Sequence, residues 1–117
     1  MKPQEQAGAG SAAAATRMTG ARDIPASDGD SFIPGRLRGK TLLVTGCARG
    51  MGAAAAIRAA REGANVVGVD WLEAQGEATI ERIRSEGGQA VFLHGDIAEP
   101  AVCDAMVQLA VDQFGGL

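Results

Sequence analysis

The segment Leu42-Leu43-Val44-Thr45-Gly46-Cys47-Ala48-Arg49-Gly50-Met51-Gly52 decides the fold of this chain. Its apolar start, ended by Gly46, predicts a short strand that is buried on both faces, as is typical of parallel sheets. Small and apolar residues then recur at helical spacing, whereas the opposite side is charged and includes Glu62. Gly63 stands where a glycine ends many helices. The sequence therefore predicts a strand, a glycine-rich turn and a helix of about 51–62.

The same alternation repeats along the rest of the chain. Asn65–Asp70 is predicted as a second strand and 72–86 as a helix, and Gln89–Gly95 as a third strand. Pro100, which suits a first helical turn, introduces a helix of about 99–114. Strands that alternate with helices in this way form βαβ units with right-handed crossovers. We therefore expect an α/β, Rossmann-type parallel sheet in the order 3-2-1, which is half of a doubly wound fold.

The last predicted helix is apolar around most of its circumference. Asp104, Gln108 and Asp112 form its only clear polar arc. A helix of this kind normally lies between two layers. A three-stranded sheet supplies one layer, so we expect further protein to cover the rest of the helix.

Residues 1–38 differ in composition from the rest of the chain. They are rich in Ala, Gly, Pro, Ser and charged residues and hold few large apolar side chains. Such a segment cannot offset the entropy of its own ordering, so we expect a disordered N-terminal extension. The alternative is a docking arm anchored by Phe32-Ile33-Pro34. The folded domain is expected to be 39–117.

Charge and cysteine usage exclude several classes of function. Residues 39–117 carry six basic and ten acidic side chains, which argues against nucleic acid as a partner. Cys47, Cys103 and the single His94 lack the spacing of a metal site, so no metal is expected. No segment approaches the roughly 20 apolar residues of a membrane span, and the Ala12–Ala15 run is too short for a secretory signal. We expect a cytoplasmic protein with reduced thiols.

The glycine turn is suited to binding phosphate. Backbone N–H groups at a helix N-terminus, aided by the helix dipole, attract a pyrophosphate. Gly46 fits the tight turn, Gly50 a close approach to the phosphates, and Gly52 the packing of helix against strand. A second register, Gly50-x-Gly52-x-x-Ala55, also matches such a motif, and plain turn geometry alone also favours glycine.

Asp70 extends the predicted site. It ends the second strand, where a dinucleotide-binding fold places a carboxylate on the ribose hydroxyls. The same charge would repel the 2′-phosphate of NADP, so NAD is the favoured cofactor. Arg49 supports the alternative, because an arginine there can pair with that phosphate; otherwise it is a solvated turn residue.

These residues resemble the short-chain dehydrogenase/reductase family, whose motif T-G-x-x-x-G-x-G is met by Thr45 through Gly52. The resemblance covers about 37–117 and implies that Asp96 bonds the adenine amino group, with the backbone of Ile97 beside it. Asp96 as a helix cap is the alternative. The expected cofactor-binding residues are Gly46, Ala48, Arg49, Gly50, Met51, Gly52, Asp70, Trp71, Asp96 and Ile97.

The resemblance also implies a chemistry that this chain does not carry. The family uses an N-N-A-G motif, a serine and a Y-x-x-x-K motif. This sequence has no Tyr, and its only lysines, Lys2 and Lys40, precede the glycine turn. We expect an NAD(P)-dependent oxidoreductase of alcohols and carbonyls, here as a cofactor-binding portion without catalytic residues and inactive alone. Its parent is expected to bind a small-molecule substrate and to be a homo-oligomer.

Other functions remain open at this stage. The chain is alternatively a non-catalytic NAD-binding or interaction module, a relic of a broken gene, or a binder of another nucleotide or a methyl donor.

Three single residues also have two interpretations each. Cys47 lies near a helix N-terminus, where a thiol pKa can fall, or is a small residue that fits. Trp71 shields the adenine or lies on the surface, whereas His94 is expected to be structural or near the adenine.

Overall fold

The computed structural model describes residues 33–117, and these form alternating strands and helices. Residues 1–32, which include most of the predicted extension and Phe32, lie outside the described residues. The elements are β1 (Thr41–Thr45), α1 (Gly50–Arg61), β2 (Asn65–Asp70), α2 (Glu73–Ser85), β3 (Gln89–His94) and α3 (Pro100–Phe114). Every predicted element is present, with each end within about two residues of the expected position.

The three strands form one parallel sheet with β2 in the centre, in the order β1-β2-β3. Gly68 in β2 lies opposite Val44 in β1 and Phe92 in β3. The predicted order 3-2-1 and the Rossmann-type α/β fold are therefore confirmed. Because the strands are parallel, their carboxyl ends, at Thr45, Asp70 and His94, meet at one edge of the sheet.

Apolar side chains pack on both faces of the sheet. One cluster lies under α1 and α2 and contains Ala56, Val66, Ile80, Ile83 and Ala90. The other lies under α3 and contains Val67, Val69 and Ala110. Adjacent residues of β2 thus point into opposite layers. Full burial of the Val and Ile side chains stabilises the fold by about 1.5–3 kcal/mol each.

Strand β1 is less buried than the sequence predicts. Its residues are half-buried or exposed, whereas five of the six β2 residues are buried. Among residues 33–117, β1 pairs only with β2, so its other side has no neighbouring strand. The apolar helix α3 is likewise covered on one side only, and Val107 and Val111 are 43% and 46% exposed.

No helix of this described part has the length and hydropathy to cross a membrane.

The prediction that Glu62 faces outward is wrong. Its side chain is 1% exposed and accepts hydrogen bonds from Arg58 Nε, at 2.9 Å, and from Arg36 Nε. These bonds hold the pKa of the Glu62 carboxyl below its ordinary value despite its burial, and the bond from Arg58 has the largest effect. The Leu37 N–H also donates to the Glu62 carbonyl, at 2.8 Å. Arg36 and Leu37, which fall within the predicted extension over 1–38, are thus hydrogen-bonded to Glu62 at the end of α1.

Candidate functional site

A cleft of about 440 Å³ lies at the carboxyl edge of the sheet. The three turns that follow β1, β2 and β3 form its walls. Ligands of parallel α/β folds bind at this edge. The residues that line the cleft are Gly46, Arg49, Gly50, Val69, Asp70, Trp71, Leu72, Gly95, Asp96 and Ile97.

The geometry of the glycine turn accounts for two of the three roles predicted for its glycines. Gly46 has a φ of +74°, and its N–H donates to the Val69 carbonyl at 2.8 Å, which binds the turn to β2. A Cβ at Gly52 would lie 2.0 Å from the Gly46 carbonyl oxygen, so only glycine lets α1 begin this close to the turn. This contact favours the register that starts at Gly46. Gly50, with a φ of +61°, lines the cleft, and its role toward phosphate stays a prediction.

Helix α1 begins at the cleft. Its N-cap residue, Arg49, makes no side-chain capping bond, and its first turn holds no acidic residue. The first N–H groups of a helix have no partner within the helix and carry partial positive charge. This end of α1 is therefore suited to an anionic group in the cleft.

Asp70 connects two walls of the cleft. Its Oδ2 accepts a hydrogen bond from the Ala48 N–H and its Oδ1 accepts one from the Leu72 N–H, both at 2.9 Å. The residue is 8% exposed. A carboxylate offers about four acceptor positions, so its acceptor capacity is not exhausted by these two bonds. The residue predicted to bind a ribose thus also holds the glycine turn to the β2–α2 turn.

The Asp70 carboxyl is ionised at neutral pH. Burial raises its pKa, but the backbone N–H groups of Leu72, Ala48 and Trp71 and the positive charge of Arg49 lower it by more. The pKa consequently lies below its ordinary value. The cleft therefore contains a fixed negative charge close to the positive end of a helix.

Three of the ten predicted cofactor-binding residues do not line the cleft. Ala48 is buried, and its carbonyl accepts a bond from Thr79 Oγ1 at 3.3 Å. Met51 is 91% exposed, and Gly52 faces the Gly46 carbonyl. The other seven are brought together as expected.

Three further residues line the cleft that the sequence did not predict: Val69, Leu72 and Gly95. Val69 is the second-last residue of β2, and Leu72 and Gly95 follow β2 and β3. Their closeness to the strand ends is the signal by which the sequence could have identified them.

Asp96 shapes the third turn. Its Oδ1 accepts a hydrogen bond from the Ala98 N–H at 2.9 Å, and its carbonyl accepts one from Glu99. The N-cap residue of α3 is Glu99, so the alternative of Asp96 as the helix cap is wrong. Asp96 and Ile97 line the cleft together with residues of the β2–α2 turn.

The two cysteines are free, and Cys47 packs inside the fold. Cys47 is fully buried, and a Cβ at Gly68 would lie 2.7 Å from its sulfur. Burial, followed by the negative charge of Asp70, raises the pKa of the Cys47 thiol to about 11. The alternative of a lowered thiol pKa is therefore wrong, and the packing interpretation holds. Within residues 33–117, no cluster of His, Cys, Asp and Glu could hold a metal.

A parallel sheet with a glycine turn and a cleft at its carboxyl edge defines a Rossmann-type α/β protein. A comparison with known families narrows that class. Residues 40–117 match the family model described as short chain dehydrogenase. Because this match covers well over half of the sequence, the chain belongs to the short-chain dehydrogenase family.

Individual relatives agree with this assignment. The chain is 44% identical over 82 residues to a 2,5-dichloro-2,5-cyclohexadiene-1,4-diol dehydrogenase of Sphingobium indicum, covering 70% of this chain and 33% of the relative. It is 41% identical over 81 residues to an L-rhamnose 1-dehydrogenase (NAD(P)+) of a Sphingomonas species, covering 68% and 32%. A short-chain dehydrogenase of Mycobacterium smegmatis superposes with a TM-score of 0.69 at 32% identity, covering 74% and 37%. The chain spans about a third of the length of these relatives.

Proposed function

We propose that this chain binds the adenosine and diphosphate part of a nicotinamide dinucleotide, within an oxidoreductase that interconverts alcohols and carbonyls. One observation carries the proposal. The ionised Asp70 and the N-terminus of α1 line the same cleft, so an acceptor for ribose hydroxyls and a donor surface for phosphate lie side by side. When bound, the nicotinamide ring of such a cofactor supplies or accepts the hydride.

The glycine turn fits a diphosphate sterically. Gly46 and Gly50 both line the cleft, and a Cβ at either would meet no protein atom within 4 Å. Any side chain there would therefore occupy open space beside the helix N-terminus. In this proposal Gly46, Gly50 and the first N–H groups of α1 hold the phosphates, with the Arg49 side chain at the rim.

The adenosine part lies between the second and third turns in this proposal. The remaining acceptor capacity of the Asp70 carboxylate serves the ribose hydroxyls, and Trp71 and Ile97 provide apolar surface. Both side chains are strongly exposed, Trp71 at 69%, which is the exposure expected of groups that a flat ring would cover. Asp96 lies beside them, where its carboxylate can accept the adenine amino group.

NAD is the preferred cofactor in this proposal. Asp70 is ionised and lines the cleft, so a 2′-phosphate would meet a negative charge there. Arg49 also lines the cleft and offsets part of this repulsion. The Sphingomonas relative is named for both cofactors, and for this chain we therefore expect NADP to bind weakly rather than not at all.

Fluorescence titration tests the binding proposal. Trp71 is the only tryptophan and lines the cleft, so its emission reports directly on a ligand there. We expect saturable changes with NAD, weaker binding of NADP, and competition by AMP but not by nicotinamide mononucleotide. An Arg49→Ala variant should weaken NADP more than NAD. Tighter binding of NADP than NAD would refute the cofactor preference, and no saturable change with either would refute the function.

The catalytic part of the proposal rests on the family. The sequence contains no Tyr, and in this proposal hydride transfer requires residues outside it. We expect the chain to bind NAD without oxidising alcohols, which an absorbance assay for NADH would check. The names of its relatives include a chlorinated diol and a sugar, so the matched segment leaves the alcohol or carbonyl substrate unspecified.

We further propose that the protein works in the cytoplasm and that its parent is a homo-oligomer. The free thiols of Cys47 and Cys103 are consistent with a reducing compartment. The oligomeric state rests on the family alone. The organisation into an extension over 1–38 and an incomplete dinucleotide-binding domain over 39–117 also remains a proposal.

A further inference from the structure

The only histidine of the chain is bonded to the backbone of its only tryptophan. His94 Nε2 lies 3.0 Å from the carbonyl oxygen of Trp71. A carbonyl oxygen accepts hydrogen bonds and cannot donate, so Nε2 carries the proton and donates it. The bond therefore fixes which nitrogen of the neutral ring is protonated.

This bond continues the sheet beyond the end of its strands. Asp70 and His94 are the last register pair of β2 and β3, and the Gly95 N–H donates to the Asp70 carbonyl at 3.1 Å. The His94 side chain then donates to the next carbonyl, that of Trp71. Two consecutive carbonyls of the second turn are thus held by two consecutive residues at the start of the third turn.

The two turns joined in this way both line the cleft, in the part proposed for adenosine. Asp70, Trp71 and Leu72 come from the second turn, and Gly95, Asp96 and Ile97 come from the third. His94 itself does not line the cleft. Its donor therefore acts on the distance and orientation between the walls rather than on a ligand.

We propose that His94 is a positioning residue for the adenosine part of the cleft. It holds the peptide after Asp70, so that the Asp70 carboxylate and the Trp71 ring keep their places relative to Asp96 and Ile97. This inference rests on the proposed function, since it assigns the positioned residues to adenosine binding. Without the imidazole donor, the Trp71 carbonyl is left to water and the turn becomes more mobile.

A pair of substitutions separates hydrogen bonding from packing. His94→Ala removes the donor, and His94→Gln keeps an amide N–H at a similar distance along the side chain. Gln89→Ala is the matched control, because Gln89 is exposed at the opposite end of β3. Each variant of the 117-residue chain is measured twice: by acrylamide quenching and anisotropy of Trp71 without ligand, and by calorimetric titration with NAD. Circular dichroism verifies that each is folded.

The expected results differ between the variants. His94→Ala should make Trp71 more mobile and more easily quenched, and should raise the dissociation constant for NAD about fivefold, as expected for one lost hydrogen bond. His94→Gln should restore both readouts to within about twofold of the original chain. Gln89→Ala should leave both unchanged.

Other outcomes would overturn the inference. Unchanged Trp71 mobility in His94→Ala would do so, whether or not NAD affinity falls, because the proposed effect passes through the Trp71 turn. Failure of His94→Gln to restore either readout would also refute a hydrogen-bond role. If the original chain binds no NAD, the proposed function fails, and the quenching comparison in the ligand-free protein still decides whether His94 positions this turn.

Discussion

The carboxylate of Asp70 accepts a hydrogen bond from the backbone N–H of Ala48, which lies 22 residues earlier in the chain. Ala48 belongs to the glycine turn and Asp70 ends the central strand. One side chain therefore sets the position of the proposed phosphate-binding turn and also provides the negative charge of the proposed ribose site. Structural and binding roles at this position cannot be separated by removing the side chain.

A neutral isostere can separate these roles in part. In Asp70→Asn, the side-chain NH2 group replaces one carboxylate oxygen and must face a backbone N–H donor, because both oxygens of Asp70 accept backbone bonds. We expect the free energy of unfolding to fall by about 1–3 kcal/mol, measured with urea. Because the negative charge is lost, the preference for NAD over NADP should also shrink. Asp104→Asn, at an exposed position of α3, is the control and should change neither quantity.

Glu62 predicts a specific pH dependence of stability. Its folded pKa lies below the ordinary value of 4.5, chiefly because Arg58 bonds the carboxylate. Its contribution to stability is thus fully present above the unfolded pKa and is lost as pH falls through the folded pKa. Urea midpoints measured from pH 7 to pH 3 should fall, and Glu62→Gln should reduce this dependence.

Glu77→Gln is the control for that experiment, because Glu77 is exposed on α2. It should retain the full pH dependence of the original chain. An equal slope in Glu62→Gln and Glu77→Gln would contradict the assignment of this acid sensitivity to the buried carboxylate.

Gly52 should be the least replaceable glycine of the turn. An added Cβ would lie 2.0 Å from the backbone oxygen of Gly46, and a backbone atom cannot move aside as a flexible side chain can. We expect Gly52→Ala to destabilise the protein by about 3 kcal/mol or more, as overpacking does. At Gly116 a Cβ would meet nothing within 4 Å, so Gly116→Ala is the control. Similar unfolding midpoints for the two variants would contradict this steric argument.

The sequence was sufficient to predict the elements, their order and seven residues of the cleft wall. Apolar runs and helical spacing report which faces are buried, and glycines and Asp70 mark the ends of strands. The pattern failed for Glu62 because one partner of its carboxylate is Arg36, 26 residues earlier, which no local periodicity reveals. It failed for β1 because this strand lies at the edge of the described sheet, with β2 as its only neighbour, and an edge strand is more accessible to solvent. The alternative of Asp96 as a helix cap failed because α3 begins at Pro100, with Glu99 as its N-cap.

The environment of Cys47 predicts a marked difference in reactivity between the two cysteines. Cys47 is fully buried and its thiol pKa is about 11, so at pH 8 only about one molecule in a thousand would carry the reactive thiolate. Cys103 is only half-buried, and its thiol donates to the Ile97 carbonyl at 3.3 Å. We expect iodoacetamide to modify Cys103 first in the folded chain and Cys47 only after unfolding, as peptide mass spectrometry would show. A Cys103→Ser variant should then resist native labelling, and modification of Cys47 at a comparable rate would mean that the glycine turn opens in solution.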